Sequence, residues 1–201
     1  YESVPPVAHP RMTEDEHCYK ILHPVTRPFF LNSQKDYEVR LNRAIKGSKK
    51  RPDFACVLSD ITFLSSKIEP LGCTPLQQKK DSIKVQLEGR KSINQQLESK
   101  GGPCEVALLT NFGDLVSSFI MDLRFDGLYR SWSFRTTRLV IDYTTIPLAE
   151  YSLSHFAALE GYVSKIVKDY KKRSDQCTSP FQIKYMRQLP NSPQIKQLLK
   201  S

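Results

Sequence analysis

The sequence predicts an α+β domain, and three observations carry that expectation. Helical periodicity is confined to three segments, near residues 34–46, 74–99 and 152–173. Runs rich in β-formers fall between them, and Asp- or Gly-containing turns separate those runs at hairpin spacing. A chain of 201 residues, 39% hydrophobic and 25% charged, is long enough to bury a core and too apolar to be disordered. Residues 1–31 hold Pro5, Pro6, Pro10, Pro24 and Pro28 with little periodicity, which predicts an irregular arm. Residues 32–174 form the expected domain, and 175–201, with Pro180, Pro190 and Pro193, a loosely held tail.

The first expected helix, 34–46, follows a Ser33 cap and repeats Tyr37, Leu41, Ala44 and Ile45 at helical spacing until Gly47. After Pro52, the apolar stretch Asp53–Leu58, the turn residues Ser59-Asp60 and the β-rich Ile61–Ile68 read as a hairpin. Thr74-Pro75-Leu76-Gln77 gives a helix start by three signals: a Thr cap, Pro at the first position and Gln three residues after the cap. This long helix is expected to run to Ser99, with Leu76, Ile83, Leu87 and Leu97 near one face, and to stop at Gly101-Gly102-Pro103. Val106–Leu109, Val116–Leu123 and Leu128–Phe134, separated by Phe112-Gly-Asp114 and Asp126-Gly127, predict an antiparallel meander. Ser152 reads as the cap of a last helix carrying Leu153, Phe156, Leu159, Val163, Ile166, Val167 and Tyr170, ending in Lys171-Lys-Arg173.

Thirty Lys and Arg against twenty-one Asp and Glu leave a net charge of +9, so the protein attracts polyanions, nucleic acid first among them. The basic run Lys46–Arg51 reads as a solvated linker or a phosphate-contacting patch. Five cysteines, odd in number and without a CxxC pair, argue against a disulfide framework or a zinc ribbon and for an intracellular protein, nuclear or cytoplasmic. No apolar run approaches the roughly 18 residues a membrane span needs, so no membrane is expected as partner. There is no GxSxG elbow, no GxxxxGK[ST] and no GxGxxG, which removes the usual serine-hydrolase and nucleotide-dependent readings.

The order helix, hairpin, helix, strands, together with Arg51-Pro52-Asp53-Phe54 and Lys67-Ile68-Glu69-Pro70, resembles the core of PD-(D/E)xK nucleases. Met121–Trp132 also looks like a stretch from a large uncharacterised family of early-diverging fungi associated with such cores. The resemblance covers roughly residues 34–170. It implies a restriction-endonuclease-like core: a mixed central sheet with a β-hairpin, a long crossing helix, an antiparallel meander and a C-terminal helix. It further implies metal-dependent hydrolysis of phosphodiester bonds in DNA or RNA, or a catalytically degenerate descendant of such an enzyme. The alternative is a non-catalytic module that binds nucleic acid or protein on the same scaffold.

Hydrolysing a phosphodiester calls for a hard cation such as Mg²⁺, which takes carboxylate oxygens. Asp53 and Glu69 are the expected carboxylates, with Lys67 as the cation that orients the nucleophile or steadies the transition state. Glu38 on the first helix is a further candidate metal ligand. A three-residue loop, Ser59 to Ile61, makes paired positions sum to 120, so that Asp53 faces Lys67 and shares a face with Glu69. A two- or four-residue loop puts them on opposite faces. The second half-motif is also reversed, Lys-x-Glu where the family has acid-x-Lys, a displacement of about 6.6 Å along a strand. Candidate phosphate contacts are Lys80, Lys84, Arg90 and Lys91 on the long helix and Arg130 in the meander. Trp132 is expected in the core, on one face with Leu128 and Phe134.

Overall fold

The computed structural model describes residues 12–31, 34–41, 52–101, 103–125 and 127–173. The basic run 46–51, the tail 175–201 and the start of the arm lie outside these described residues. The described chain is α+β, built on a six-stranded mixed sheet whose strands lie in sequence order. They are β1 (Glu38–Leu41), β2 (Phe54–Leu58), β3 (Ile61–Glu69), β4 (Glu105–Phe112), β5 (Leu115–Phe125) and β6 (Leu128–Arg138). All neighbours pair antiparallel except β3 and β4, which are parallel. A parallel pair needs a crossover, and helix α3 (Pro75–Lys100) supplies it.

The residues of β4 divide the core in two by alternation. Val106 and Leu108 pack with Val85, Ile93 and Leu97 of α3, whereas Ala107 and Leu109 pack with Phe156, Leu159 and Val163 of α4 (Ala149–Lys171). The sheet is thus covered by α3 on one face and by α4 on the other. On the α4 face it also meets an N-terminal helical segment made of α1 (Glu14–His17), a π-helical turn (Cys18–Leu22) and α2 (His23–Phe30).

That segment corrects the expected irregular arm. Thr13 caps it in a box with Glu16, Leu22 and Phe30 are fully buried, and Phe30 stacks edge-on against Phe54 at 5.3 Å. Pro24 lies in the first turn of α2 and Pro28 inside it, and the helix forms around both, so the prolines that suggested irregularity do not prevent it.

The expected helix at 34–46 is also corrected, since residues 38–41 form strand β1; residues 42–46 lie outside the described ones. Tyr37 and Leu41 satisfy helical and strand spacing alike, and the ladder with β2 decides between them. Val39 and Leu41 pack on the core while Glu38 faces solvent.

Helix α3 begins where expected, with Thr74 Oγ1 accepting the Gln77 N–H at 3.2 Å. Its buried stripe is different from the expected one. Val85, Gly89, Ser92, Ile93, Gln96 and Leu97 face the sheet, whereas Leu76 is 52% exposed and Ile83 and Leu87 are half-buried. Gly89 lies at the close approach of α3 to β4: a Cβ there would lie 2.8 Å from a Leu108 methyl, which would have to shift.

The meander forms as β4, β5 and β6. Ser152 does not cap α4; the helix begins earlier, after a 3₁₀ turn (Tyr143–Leu148) capped by Asp142, and the Ser152 hydroxyl donates to the Leu148 and Arg138 carbonyls. Trp132 is likewise corrected. It is 40% exposed on the edge strand β6, with Arg130 5.7 Å above its ring. Among the described residues no helix is long and apolar enough to cross a membrane.

Candidate functional site

The hairpin turn has two residues, not three: Leu58 pairs with Ile61, and Ser59 and Asp60 both adopt left-handed conformations, at φ 49° and 65°. By register alone, Asp53 would then face away from Lys67. A β-bulge restores the phase. Val57 pairs with Thr62 but Cys56 pairs with Leu64, which leaves Phe63 as the extra residue, and from Ala55↔Ser65 onward the sums are again 120. Phe63 is fully buried, with its ring edge-on to Tyr170 at 5.2 Å, so the bulge is the arrangement that sends this large side chain into the core.

The consequence is an ion pair. Asp53 lies just before β2, and its Oδ1 accepts from Lys67 Nζ at 2.8 Å while its Oδ2 accepts from the Ile68 backbone N–H at 2.7 Å. Burial lifts the Asp53 carboxyl above the usual carboxylate range, and Lys67 pulls it back only in part. Desolvation disfavours the Lys67 ammonium, yet Asp53 beside it overrides that and holds its pKa above the usual lysine range.

Ser65, Lys67 and Glu69 share the α3 face of β3, since they pair alongside Leu108, Thr110 and Phe112 of β4. Ser65 therefore stands two residues before Lys67, where an acid-x-Lys motif has its acid. A carboxylate reaches that place from the helix: the Ser65 hydroxyl donates to Glu88 at 2.6 Å, and Glu88 acts on Lys67 electrostatically. Asp53 and Glu88 thus bracket Lys67 from β2 and α3.

Glu69 is committed elsewhere. Gln77 of α3 donates to Glu69 at 3.1 Å and to Asp81 at 2.7 Å, and Asp81 is closed by Lys84 at 2.6 Å. Burial and the neighbouring Asp81 push Glu69 up to about 7, whereas hydrogen bonds from Glu69 and Lys84 outweigh desolvation and hold Asp81 low. Glu69 and Asp81 therefore behave as a proton-sharing pair at the rim.

Glu38, expected as a further ligand, stands on β1 against Arg40 at 2.9 Å. Its partner position is Val57, about 13 Å up the strand from Asp53 at 3.3 Å per residue, so it does not join the site. The first helix does send a carboxylate, but from Glu14. Burial and the charge of Asp53 raise Glu14 above its ordinary value, and it senses Lys67 and Asp81 as well. The Thr13 and Glu16 capping box marks that helix, a pattern the irregular-arm expectation for residues 1–31 passes over, whereas nothing in the sequence points to Glu88 reaching across to Ser65.

Of the expected phosphate contacts, Lys80 is buried, Lys84 serves Asp81, and Lys91 is half-buried. Arg130 grips the fully buried Asp122 with two bonds, at 3.1 and 2.7 Å, which makes it a structural counter-ion. Arg90 lies over the Tyr129 ring at 5.1 Å, on the opposite flank of α3 from Glu88.

Among the described residues, no three His, Cys, Asp or Glu side chains are grouped to hold a metal ion. Mg²⁺ does not need three, since one or two carboxylates commonly hold it while water and substrate phosphate complete the shell. The hard oxygens of Asp53 and Glu88 suit it in kind. Comparison with known proteins finds no matching family model, no matching curated protein and no matching solved structure.

Proposed function

We propose that this chain is a Mg²⁺-dependent phosphodiesterase acting on nucleic acid through a restriction-endonuclease-like core, with Asp53, Lys67 and Glu88 at its centre. The observation that carries the reading is the buried Asp53–Lys67 contact at 2.8 Å, with the Glu88 carboxylate bound at Ser65, the acid position of the second half-motif. The element order supports it: antiparallel β2–β3, a crossing helix, then β4 parallel to β3. Local charge supports it too, because the chain carries +9 overall yet gathers Glu14, Asp53, Glu69, Asp81 and Glu88 around two lysines.

In this reading Asp53 and Glu88 hold the metal, with Glu14 within electrostatic reach. The cation would neutralise charge developing on the phosphate and acidify its bound water. Lys67 stays protonated beside Asp53 and presents a fixed ammonium to the phosphate oxygens. Glu69 acts through Asp81 and Gln77 rather than as a ligand.

The test is cleavage of plasmid, linear duplex and single-stranded DNA and of RNA with Mg²⁺ or Mn²⁺, against Asp53→Asn. Metal-dependent cleavage lost in the variant supports the reading. Cleavage that survives in the variant sinks the site, and none in the wild type leaves a degenerate or non-catalytic binding module.

A further inference from the structure

The flank of α3 turned away from Asp53 borders a groove of about 410 Å³, a volume within the range of small-ligand pockets. Ile83 and Leu87 of α3 and Met121 of β5 give it an apolar lining, Tyr129 of β6 an aromatic one, and Lys79 and Arg90 border it with their side-chain stems. Among the described residues, no carboxylate lines it. The Tyr129 hydroxyl donates to Asn94, which fixes the ring, and the Arg90 guanidinium lies 5.1 Å from the ring centroid. Beyond Tyr129 on the same strand face, Ser131 and Ser133 are exposed, so the sheet continues outward uncovered.

An apolar cleft with an aromatic wall and two cationic side chains at its border is complementary to a flat aromatic ring attached to an anion. We propose that this groove binds an unpaired nucleotide of a nucleic-acid strand, the base against Leu87, Met121 and Tyr129 and the phosphate on Lys79 and Arg90. The inference rests on the nucleic-acid reading above and deepens it: the strand is held on one flank of α3 and cut on the other. Base–aromatic stacking tolerates any sequence, so the groove selects for single-stranded character rather than for a base. Gln86 and Ser82, also on the lining, can meet base edges with either donors or acceptors.

The experiment uses the full chain carrying Asp53→Asn, and fluorescence anisotropy of a labelled oligothymidylate and of a duplex of the same length. Expected are tighter binding of the single strand, a steep loss with rising salt, and a loss of about 5- to 150-fold in Tyr129→Ala. Leu87→Glu, at a half-buried surface position, places a carboxylate in the groove without removing a core contact and weakens binding by at least about tenfold. Circular dichroism on both variants separates loss of binding from loss of fold. Wild-type affinity in folded Leu87→Glu overturns the proposal, as do a preference for duplex, a flat salt response or no binding at all. The two readings fail separately. Binding that depends on the groove without any cleavage by the wild type removes the phosphodiesterase alone, and cleavage with groove variants at wild-type affinity removes the groove alone.

Discussion

The two flanks of α3 make an instructive pair. Gln77, Asp81, Lys84 and Glu88 recur at intervals of four, three and four along one side and meet Ser65 and Glu69 of β3. Lys79, Ile83, Gln86 and Arg90 recur with the same intervals two residues out of phase and meet Met121 and Tyr129. Val85, Gly89, Ser92 and Gln96 form the buried stripe between them. One helix thereby borders an acidic, hydrogen-bonded cluster on one flank and, on the other, an apolar groove lined by no carboxylate among the described residues. The separation depends on how low the helix sits. Gly89 marks the close approach, with the Leu108 methyls directly beneath it.

The largest effect expected is at Asp53. Asp53→Asn lowers metal-dependent cleavage by at least about 100-fold while oligonucleotide affinity stays within a few-fold of wild type, read by single-turnover cleavage and anisotropy. Asp53→Ala in addition removes the carboxylate that accepts from the Lys67 ammonium and from the Ile68 N–H, a loss of about 1–3 kcal/mol in urea denaturation. An affinity collapse in the folded Asn variant would mean that the two flanks are one site.

Next come the two competing acids. Glu88→Gln is expected to reduce the cleavage rate by about 10- to 100-fold, and Glu69→Gln to change it less than about threefold. The reverse ranking would restore Glu69 as the ligand and return the motif to its reversed form.

The opposite face of the sheet supplies a control for pH effects. His155, bonded to the Ser118 hydroxyl at 2.8 Å, is buried, and desolvation, then Arg135, depress its pKa from 6.5 to about 4. The folded state resists a proton that the unfolded chain accepts, so this contribution is complete above pH 6.5. As pH falls from 6.5 toward 4, stability declines by up to about 1.4 kcal/mol per unit, and His155→Gln flattens that limb in pH-dependent denaturation.

Gly89→Val tests the seating of the helix with the smallest expected effect on the acidic centre. Its Cβ meets Leu108, and overpacking costs about 1–3 kcal/mol by thermal denaturation. The groove variants should then bind less differently from their parent than they do in the wild-type background, because the raised helix opens the groove.

Much of this was legible in the chain itself. Thr74-Pro75-Leu76-Gln77 marks the start of α3 because capping is local chemistry, and Gly113-Asp114 and Gly127 separate the meander strands for the same reason. The Asp53–Lys67 meeting was expected from alternation on a hairpin, but by the wrong route. The loop is one residue shorter than required, and the burial of Phe63 in a bulge supplies the missing step. Tyr37 and Leu41 fit two periods at once, which is why the sequence reads as helix where β1 forms and puts Glu38 beside the expected metal.

By itself the sequence determined the α+β class, the boundaries of its longest helix and the cationic balance. These follow from composition, caps and strand periodicity, each decided within a few residues. Only the tertiary structure decided that Glu88 and Glu14, rather than Glu69 and Glu38, send carboxylates toward Lys67, and that Arg130 is held by Asp122 while Arg90 stacks on Tyr129. Those choices depend on the height and rotation of α3 over the sheet. The bulge at Phe63 brings Asp53 to Lys67, and the packing of α3 on β4, close at Gly89 and Leu108, places the helix side chains, through contacts between segments far apart in the chain.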